Sequence, residues 1–361
     1  MSSLLRISND QSNMLAEKAF KMQFELDQEM ANTYTERQRR LMYEDILYNL
    51  SYLDVAVKFD DEKIFIEYTK WLYKLLCNLS KSSEDPRLQT HHRLKEHFQI
   101  LAKVSSDTDS ADASKRRVTI INKGIETLGK ELHQEQAKLY QNNDQYQAIR
   151  KEYLNYLIKS DTRAAISLVR DLSKSDITID DVFQKILQEV MIEVGDLWHQ
   201  NVMSVDKEHY CTSTTQTALS QFYPIIFEQP RNGCKILTCC VGSELHEMGI
   251  RMLSDLFEYH GWDSIYLGAA VPKEAILKSI SENKPDFIGL SVTMPQHLEL
   301  CHDIVLGIQE KFPDLKVAVG GRAFISTNEL WKKWNVDIST QNATQLIEWA
   351  KENIVLKKGR Q

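Results

Sequence analysis

Helix-breaking residues are distributed very unevenly along this chain, and their distribution constrains the fold more than any other feature. Residues 1–223 contain one proline, Pro86, and three glycines, Gly124, Gly129 and Gly195, whereas the other six prolines and ten glycines come later. Proline and glycine interrupt helices and form the turns between strands and helices. The first part of the chain is therefore predicted to be nearly all helix, and the second part a turn-rich α/β unit.

After Gly233, short apolar runs alternate regularly with amphipathic segments of helical period. Strands are predicted at 235–241, 264–267, 286–291, 316–319 and 336–338. Helices are predicted at 246–260, 273–283, 296–311, 327–333 and 342–355. This alternation predicts a doubly wound, Rossmann-like (flavodoxin-like) parallel sheet. Ligands bind to such sheets at the carboxyl ends of the strands.

The helical part divides into two groups on either side of a polar run. Four helices are predicted at 11–32, 33–57, 60–79 and 86–104, and they are expected to form a small bundle. A second group is predicted at 150–159, 162–173, 179–196 and 205–226. Residues 105–114 are rich in serine and aspartate, have no apolar periodicity and are predicted to be a flexible linker.

A heptad-like pattern follows this linker. Its apolar a and d positions are Val118, Ile121, Ile125, Leu128, Leu132 and Leu139, continued by Tyr146, Ile149 and Tyr153 after a break at Glu135 and Asn142. The pattern favours a paired helix, but a helix packed on its own bundle explains it equally well because polar positions interrupt the seam. The predicted domains are an N-terminal helical domain (1–104), a linker with a candidate signalling helix (105–149), a helical bundle (150–232) and the sheet domain (233–361).

Charge and cysteine content exclude several classes of function. The net charge of −7 and a pI near 5.9 give no general attraction to nucleic acid or to an anionic membrane. The basic clusters at Arg37, Arg39 and Arg40 and at 115–117 are interpreted as solvated helix faces. The six cysteines form no CxxC pair, which predicts reduced thiols. Without a signal-like apolar start or a long apolar run, a soluble, cytoplasmic protein is expected.

Three short motifs follow successive predicted strands. Glu244-x-His246-x-x-Gly249 comes after the first strand, Ser291-x-Thr293 after a later one, and Gly320-Gly321 after the next. In this order they resemble the signature of the cobalamin-binding domain family, and the resemblance covers about residues 233–355. It implies a helical bundle acting as a cap and a sheet domain that holds cobalamin.

The resemblance also implies a role for each motif. His246 would be the lower axial ligand of cobalt, in place of the cofactor's own benzimidazole, and Glu244 would accept the other imidazole N–H. Ser291 would hydrogen-bond the displaced benzimidazole, and Gly320 and Gly321 would admit the nucleotide tail. The remaining expected cofactor contacts are Gly242, Ser243, Leu245, Val292, Thr293 and, in the loop 267–272, Gly268.

A fourth pattern lies in the helical bundle before the sheet. Trp198 is followed after nine residues by Glu208-His209. This spacing resembles adenosylcobalamin-dependent photoreceptors of the CarH type. The resemblance implies that Trp198 packs on the adenosyl group, that Glu208 binds the adenosine, and that His209 ligates cobalt after light breaks the cobalt–carbon bond. Residues 1–104 show neither the wing nor the basic recognition helix of the MerR-type DNA-binding domain found in such repressors.

Three functions are weighed. The favoured one is a light or cobalamin sensor that is not an enzyme and signals as a homo-oligomer or through a protein partner. Its expected cofactor is adenosylcobalamin, with methylcobalamin and hydroxocobalamin as the alternatives. Direct DNA binding is disfavoured, and no membrane partner is expected. The alternative is a corrinoid methyl carrier of a methyltransferase system. An adenosyl-radical enzyme is disfavoured because the chain has no substrate barrel.

The N-terminal helices leave one further question open at this stage. His91, His92 and His97 are compatible with a haem or another tetrapyrrole, although exposed histidines on a polar helix explain them more simply.

Overall fold

A computed structural model describes residues 10–80, 85–107, 111–134 and 144–355. The chain divides into two compact units. The first comprises residues up to 135 together with 325–330, and the second comprises 136–324 and the chain from 331 onward.

The N-terminal unit is helical. Its described helices are α1 (Asp10–Leu26), α2 (Gln28–Thr33), α3 (Glu36–Phe59), α4 (Lys63–Leu79), α5 (Pro86–Ser106) and α6 (Ala111–Leu132). Asp27 splits the predicted first helix because its side chain caps α2 by accepting from the Met30 N–H. Asp60, predicted to begin a helix, instead ends α3 in the left-handed conformation.

The segment 105–149, predicted as a linker with a signalling helix, is organised differently. Helix α5 continues through Ser105, which is buried, and α6 already begins at Ala111. Helix α6 packs on α3, α4 and α5 of its own unit and buries Ile121 and Leu128. A Cβ at Gly124 would lie 2.8 Å from the Phe65 ring, so this glycine lets α6 approach α4 closely. The alternative of a helix packed on its own bundle is therefore confirmed for α6.

The predicted heptad pattern does not continue through one described helix. Leu139, Glu135 and Asn142 lie outside the described residues. Helix α6 ends at Leu132, and Tyr146 directly precedes the next described helix. The pattern from 118 to 153 therefore does not belong to one continuous described helix.

Arg117, predicted to lie on a solvated helix face, is buried. Its Nη2 lies 2.6 Å from Asp54 Oδ1, and only 6% of the residue is exposed. The solvated interpretation is wrong for this residue because α6 turns it toward α3, where a carboxylate pairs with the buried charge. Arg116 and Lys115 are exposed, as expected.

The second unit begins with a helical layer. Its helices are α7 (Gln147–Ile158), α8 (Thr162–Leu172), α9 (Ile179–Asp181), α10 (Gln188–His199), α11 (Val205–Leu219) and α12 (Tyr223–Ile226). A π-helical segment, Val182–Leu187, joins α9 to α10. These helices cover the predicted second group with small shifts at their ends.

The described strands of this unit form the predicted parallel sheet. They are β1 (Lys235–Cys240), β2 (Asp263–Tyr266), β3 (Phe287–Ser291), β4 (Lys316–Gly320) and β5 (Ile338–Ser339), in the order β2-β1-β3-β4-β5. The accompanying helices are α13 (Met248–Tyr259), α14 (Lys273–Asn283), α15 (Leu298–Lys311), α16 (Arg322–Ile325), α17 (Leu330–Lys333) and α18 (Ala343–Ala350). The predicted combination of helical domains with a flavodoxin-like sheet is confirmed.

The helical layer and the sheet of the second unit share one hydrophobic core. Phe183 and Phe222 from the helices pack in the same cluster as Phe257, Trp262 and Phe287 from the sheet side. Because a continuous apolar core joins the two layers, the helices pack on the sheet as a cap. All six cysteines are buried and free. None of the described helices is long and apolar enough to cross a membrane.

Candidate functional site

The sheet register brings the three sequence motifs to one edge. Cys240 at the end of β1 pairs with Ser291 at the end of β3, and Ser291 pairs with Gly320 at the end of β4. All three strands are parallel, so the segments that follow them leave the sheet side by side. Residues that are far apart in sequence therefore converge at this edge.

The segment after β1 carries the candidate ligand. Gly242 turns the chain with a φ of 63°, and a Cβ there would lie 2.5 Å from Leu300 Cδ2. His246, predicted to start a helix, lies in an irregular loop, and α13 begins only at Met248. Leu245 beside it is 57% exposed. The loop therefore presents its side chains at the edge of the sheet.

Glu244 is the buried centre of this loop, with 1% of the residue exposed. Its Oε1 accepts from His246 N at 3.1 Å and is also in contact with His246 Nδ1. Its Oε2 accepts from the backbone N–H groups of Thr293 at 2.9 Å and Met294 at 2.8 Å. The carboxylate thus ties the β1 loop to the β3 loop.

These contacts keep Glu244 ionised. Burial raises the pKa of its carboxyl, but hydrogen bonds from His246 and His297 outweigh burial, and the pKa lies far below its ordinary value. An ionised carboxylate can only accept, so Nδ1 of His246 carries a proton. In the neutral imidazole, the lone pair is then on Nε2.

The His246 ring combines a fixed nitrogen with an accessible one. The hydrogen bond to Glu244 raises the pKa of His246, burial partly opposes it, and the negative charges of Glu244 and Glu208 raise it further. The side chain is 60% exposed. One nitrogen is held by the carboxylate while the exposed ring offers the other, which is the arrangement of a histidine metal ligand with a carboxylate behind it.

A second histidine, which sequence reasoning missed, joins the same carboxylate. His297 Nδ1 lies 3.4 Å from Glu244 Oε2, and its Nε2 lies 3.0 Å from Ser243 Oγ. His297 follows β3 in the short helical turn Pro295–His297, and its side chain is 15% exposed. No motif spacing marks it, because only the fold brings it to Glu244.

Glu247, also missed, lies beside the ligand and contacts two other elements. Its Oε1 accepts from Gln216 Nε2 of α11 at 3.0 Å, and its Oε2 accepts from the Tyr266 hydroxyl of β2 at 2.8 Å. The residue next to His246 is thus hydrogen-bonded to the helical cap.

The β3 and β4 motifs meet through their backbones. Ser291 and Val292 are buried, Thr293 is half-buried, and Val292 N donates to Gly320 O at 2.9 Å. Gly321 has a φ of 93°, and a Cβ there would lie 2.3 Å from Val292 O. A side chain at position 321 would collide with the Val292 carbonyl, so the fold itself requires glycine there, whether or not a ligand also needs the space.

Two glycines near His246 face open space. A Cβ at Gly249 would meet no heavy atom within 4 Å, and one at Gly268 would meet only Glu247 Oε2, at 3.8 Å. Gly249 is exposed and Gly268 half-buried, so the surface beside the His246 loop is open at both positions. The donor set and the open space fit a corrin ligated by His246.

The cap residues lie at the end of α10 and the start of α11. Trp198 is half-buried in α10, and its ring centroid is 6.5 Å from that of His199. Glu208 lies in α11 and accepts from Thr212 Oγ1 at 2.9 Å. The His209 side chain is 74% exposed, and its Nε2 lies 3.5 Å from Glu208 Oε2. His209 thus contacts Glu208, whose charge acts on His246.

Comparisons with known proteins point to one cofactor. A B12 binding domain model matches residues 234–345, and a second B12 binding domain model matches residues 149–223. Over 143 residues the chain is 27% identical to the HTH-type transcriptional repressor CarH of Myxococcus xanthus, covering 39% of this chain and 47% of that protein. The chain therefore spans about half the length of this relative.

Corrinoid proteins of methanogens are also similar. Over 193 residues the chain is 23% identical to dimethylamine corrinoid protein 1 of Methanosarcina acetivorans, covering 52% of this chain and 89% of that protein. The structure of the Methanosarcina barkeri monomethylamine corrinoid protein matches with a TM-score of 0.50 at 17% identity, covering 57% of this chain and 99% of that one. This structural likeness shows a shared fold.

Proposed function

We propose that this protein is a light sensor. The premise is that the chain belongs to the B12-binding domain family over residues 149–223 and 234–345 and is a cobalamin-binding protein. In this proposal, His246 would hold the cobalt of adenosylcobalamin from the sheet side, and the α10–α11 cap would cover the cofactor from the other side. The contact between Glu244 and the exposed imidazole of His246 carries the ligand assignment. The Trp198 and Glu208-His209 pattern of the cap is what favours the sensor.

The lower-face assignment follows from the chemistry of the donor set. Imidazole nitrogen is a suitable ligand for a borderline transition metal, and a carboxylate behind it fixes the tautomer and raises its basicity. Glu244 is held by two backbone N–H groups, so it cannot turn away from His246. The cofactor's own base would then be displaced toward the β3 and β4 ends, where Ser291, Gly320 and Gly321 lie.

The upper face is assigned to the cap. Adenosylcobalamin, when bound, supplies a cobalt–carbon bond that light breaks. Trp198 would pack against the adenosyl group and Glu208 would hydrogen-bond it in the dark. Without the adenosyl group Glu208 would have no such partner, His209 would be available to bind cobalt, and the cap would repack. Similarity to the CarH repressor over 39% of this chain supports this assignment.

The output is proposed to be a change in oligomeric state or in binding to a protein partner. Direct DNA binding is not proposed because the chain is acidic and one basic residue of the 115–117 cluster, Arg117, is consumed by a buried ion pair. The protein is proposed to act as a receptor and not as an enzyme.

A corrinoid methyl carrier is the second candidate. It is favoured by similarity to dimethylamine corrinoid protein 1, which extends over 52% of this chain. His246 would ligate cobalt in the same way, and the cap would shield a methyl group. The two candidates differ in what Trp198, Glu208 and His209 do above the cobalt.

Reconstitution in darkness separates the two functions. The protein is loaded with adenosylcobalamin or methylcobalamin, and its absorption spectrum and its mass by light scattering are recorded before and after illumination. A lasting spectral change with a change in mass, lost in Trp198→Ala, supports the sensor. Unchanged mass together with methyl transfer from methylcobalamin to a thiol acceptor supports the carrier and contradicts the sensor.

A further inference from the structure

A polar row on helix α11 faces the segment that carries the candidate ligand. Glu208, Thr212 and Gln216 are spaced four residues apart, so they share one side of the helix. Thr212 donates to Glu208, and Gln216 Nε2 donates to Glu247 Oε1 at 3.0 Å. This side of α11 therefore contacts the segment that carries His246, at Glu247.

Glu247 is connected to three parts of the unit. Besides Gln216, its carboxylate accepts from the Tyr266 hydroxyl at the end of β2, and its carbonyl accepts from Arg251 N in the first turn of α13. Tyr266 and Arg251 anchor it to the sheet layer, while Gln216 is its contact with the cap. A carboxylate that accepts on both oxygens is held in one position.

The two acidic residues that flank His246 have different partners. Glu244 fixes the imidazole and ties it to the β3 loop, with no cap residue among its described partners. Glu247 is hydrogen-bonded to a cap helix and is bonded covalently to His246. The backbone of residues 246 and 247 thus connects the α11 contact at Glu247 to the residue that carries the imidazole.

We propose that Glu247 is a positioning residue that couples the place of helix α11 to the placement of His246. The inference rests on the proposed function, in which the cap moves and His246 ligates cobalt. A cap displacement that breaks the contact between Gln216 and Glu247 removes one of the hydrogen bonds that hold the loop carrying His246 and so loosens that loop. By reciprocity, a change at His246 alters how firmly α11 is held.

Substitutions at Gln216 test the coupling without touching the loop. Gln216→Glu places two carboxylates together, Gln216→Lys keeps a donor for Glu247, and Thr217→Ala is a control on the exposed side of the same helix. Amide hydrogen exchange is measured in the cobalamin-free protein, and the absorption spectrum is recorded with hydroxocobalamin. Gln216→Glu is expected to speed exchange about tenfold in both α11 and residues 244–250.

The same variant is expected to shift the spectrum away from histidine ligation, whereas Gln216→Lys and Thr217→Ala resemble the wild type. The proposal is overturned if Gln216→Glu loosens α11 alone, or if Gln216→Lys is as disruptive as Gln216→Glu. If Gln216→Glu loosens both segments but His246→Ala leaves the spectrum unchanged, the coupling stands and the proposed ligand fails.

Discussion

Two histidines, one in each unit, show how similar side chains acquire different roles. His97 in the N-terminal unit has both ring nitrogens occupied, with Nδ1 3.3 Å from Gln23 Oε1 and Nε2 3.2 Å from Asn49 Nδ2. Burial lowers its pKa to about 4. His246 has one nitrogen on a carboxylate, a raised pKa and an exposed ring.

The difference lies in the partners and not in the histidine. Neutral amides and burial keep His97 uncharged and fully satisfied, and Asn49 extends the network by accepting from the Tyr68 hydroxyl at 2.9 Å. A carboxylate and access to solvent leave His246 one nitrogen for a ligand. The interpretation of His97 as an exposed histidine is wrong, and a metal at His97 would have to break one of its two hydrogen bonds.

Removing each imidazole is the strongest test of this contrast. His246→Ala is expected to abolish nitrogen ligation from the protein and to weaken cobalamin binding by more than the ~10–100-fold that an outer-shell partner contributes. His97→Gln is expected to leave the nitrogen ligation of cobalt and the cobalamin affinity unchanged. Absorption spectra and binding titrations of the two variants measure these effects. If both variants weaken cobalamin binding equally, the two histidines do not differ in role as described.

Replacing the carboxylate behind His246 is expected to have the next largest effect. Glu244→Gln places an amide N–H₂ against N–H donors of His246, Thr293 or Met294. Cobalamin affinity should fall ~10–100-fold, and the unit should lose about 3 kcal/mol of stability because a buried charged network is broken. Glu310→Gln, on an exposed face of α15, is the control. Wild-type affinity in Glu244→Gln would show that the carboxylate does not support the ligand.

Acid should weaken the N-terminal unit through His97. The folded-state pKa is about 4 against an ordinary 6.5, so the unfolded chain binds the proton more readily. The contribution of His97 is present above pH 6.5 and is lost as pH falls toward 4, by up to about 3 kcal/mol. Protection factors of α5 amides, corrected for intrinsic exchange, measure it.

Asp45 in the same unit acts in the opposite direction. Burial raises its pKa to about 6, so its contribution is present at low pH and is lost as pH rises to that value. The difference between the wild type and His97→Gln isolates the histidine. If both proteins show the same pH dependence, His97 is not the half-buried neutral group described here.

Two motif glycines extend the contrast between structural and ligand-facing positions. Gly321→Ala should cost about 1–3 kcal/mol because its backbone is left-handed and lies against Val292 O. Gly249→Ala should change stability by less than about 0.5 kcal/mol because its Cβ meets open space. Gly249→Ala should nevertheless weaken cobalamin binding. Chemical unfolding measures the two stability changes, and binding titrations measure the affinities. A larger loss of stability in Gly249→Ala than in Gly321→Ala would contradict this assignment.

Local patterns predicted most of the fold. The shift in glycine and proline content located the α/β unit because these residues restrict or free the backbone at their own positions, so their effect can be read from the local sequence. The serine and aspartate run at 105–114 led to the wrong prediction of a flexible linker. Ser105 is buried by neighbouring helices, and such tertiary packing outweighs local propensity. Arg117 was misassigned for the same reason, since its partner Asp54 lies 63 residues away.

The candidate site was predictable only as far as its motifs are local. Glu244 and His246 are two residues apart, so their pairing could be read from the sequence. His297 lies 53 residues from Glu244, and Gln216 lies 31 residues from Glu247. These contacts depend on side chains that the fold brings together, and no spacing rule marks them in advance.

The central claim is that a histidine nitrogen of this chain binds cobalt from below. Electron paramagnetic resonance of the cobalt(II) form in protein labelled with ¹⁵N tests it directly, because one axial nitrogen splits the cobalt lines. The account predicts doublets from labelled His246, and their loss in His246→Ala. Triplets that persist in the labelled protein would show that the unlabelled base of the cofactor remains on cobalt and would contradict the account.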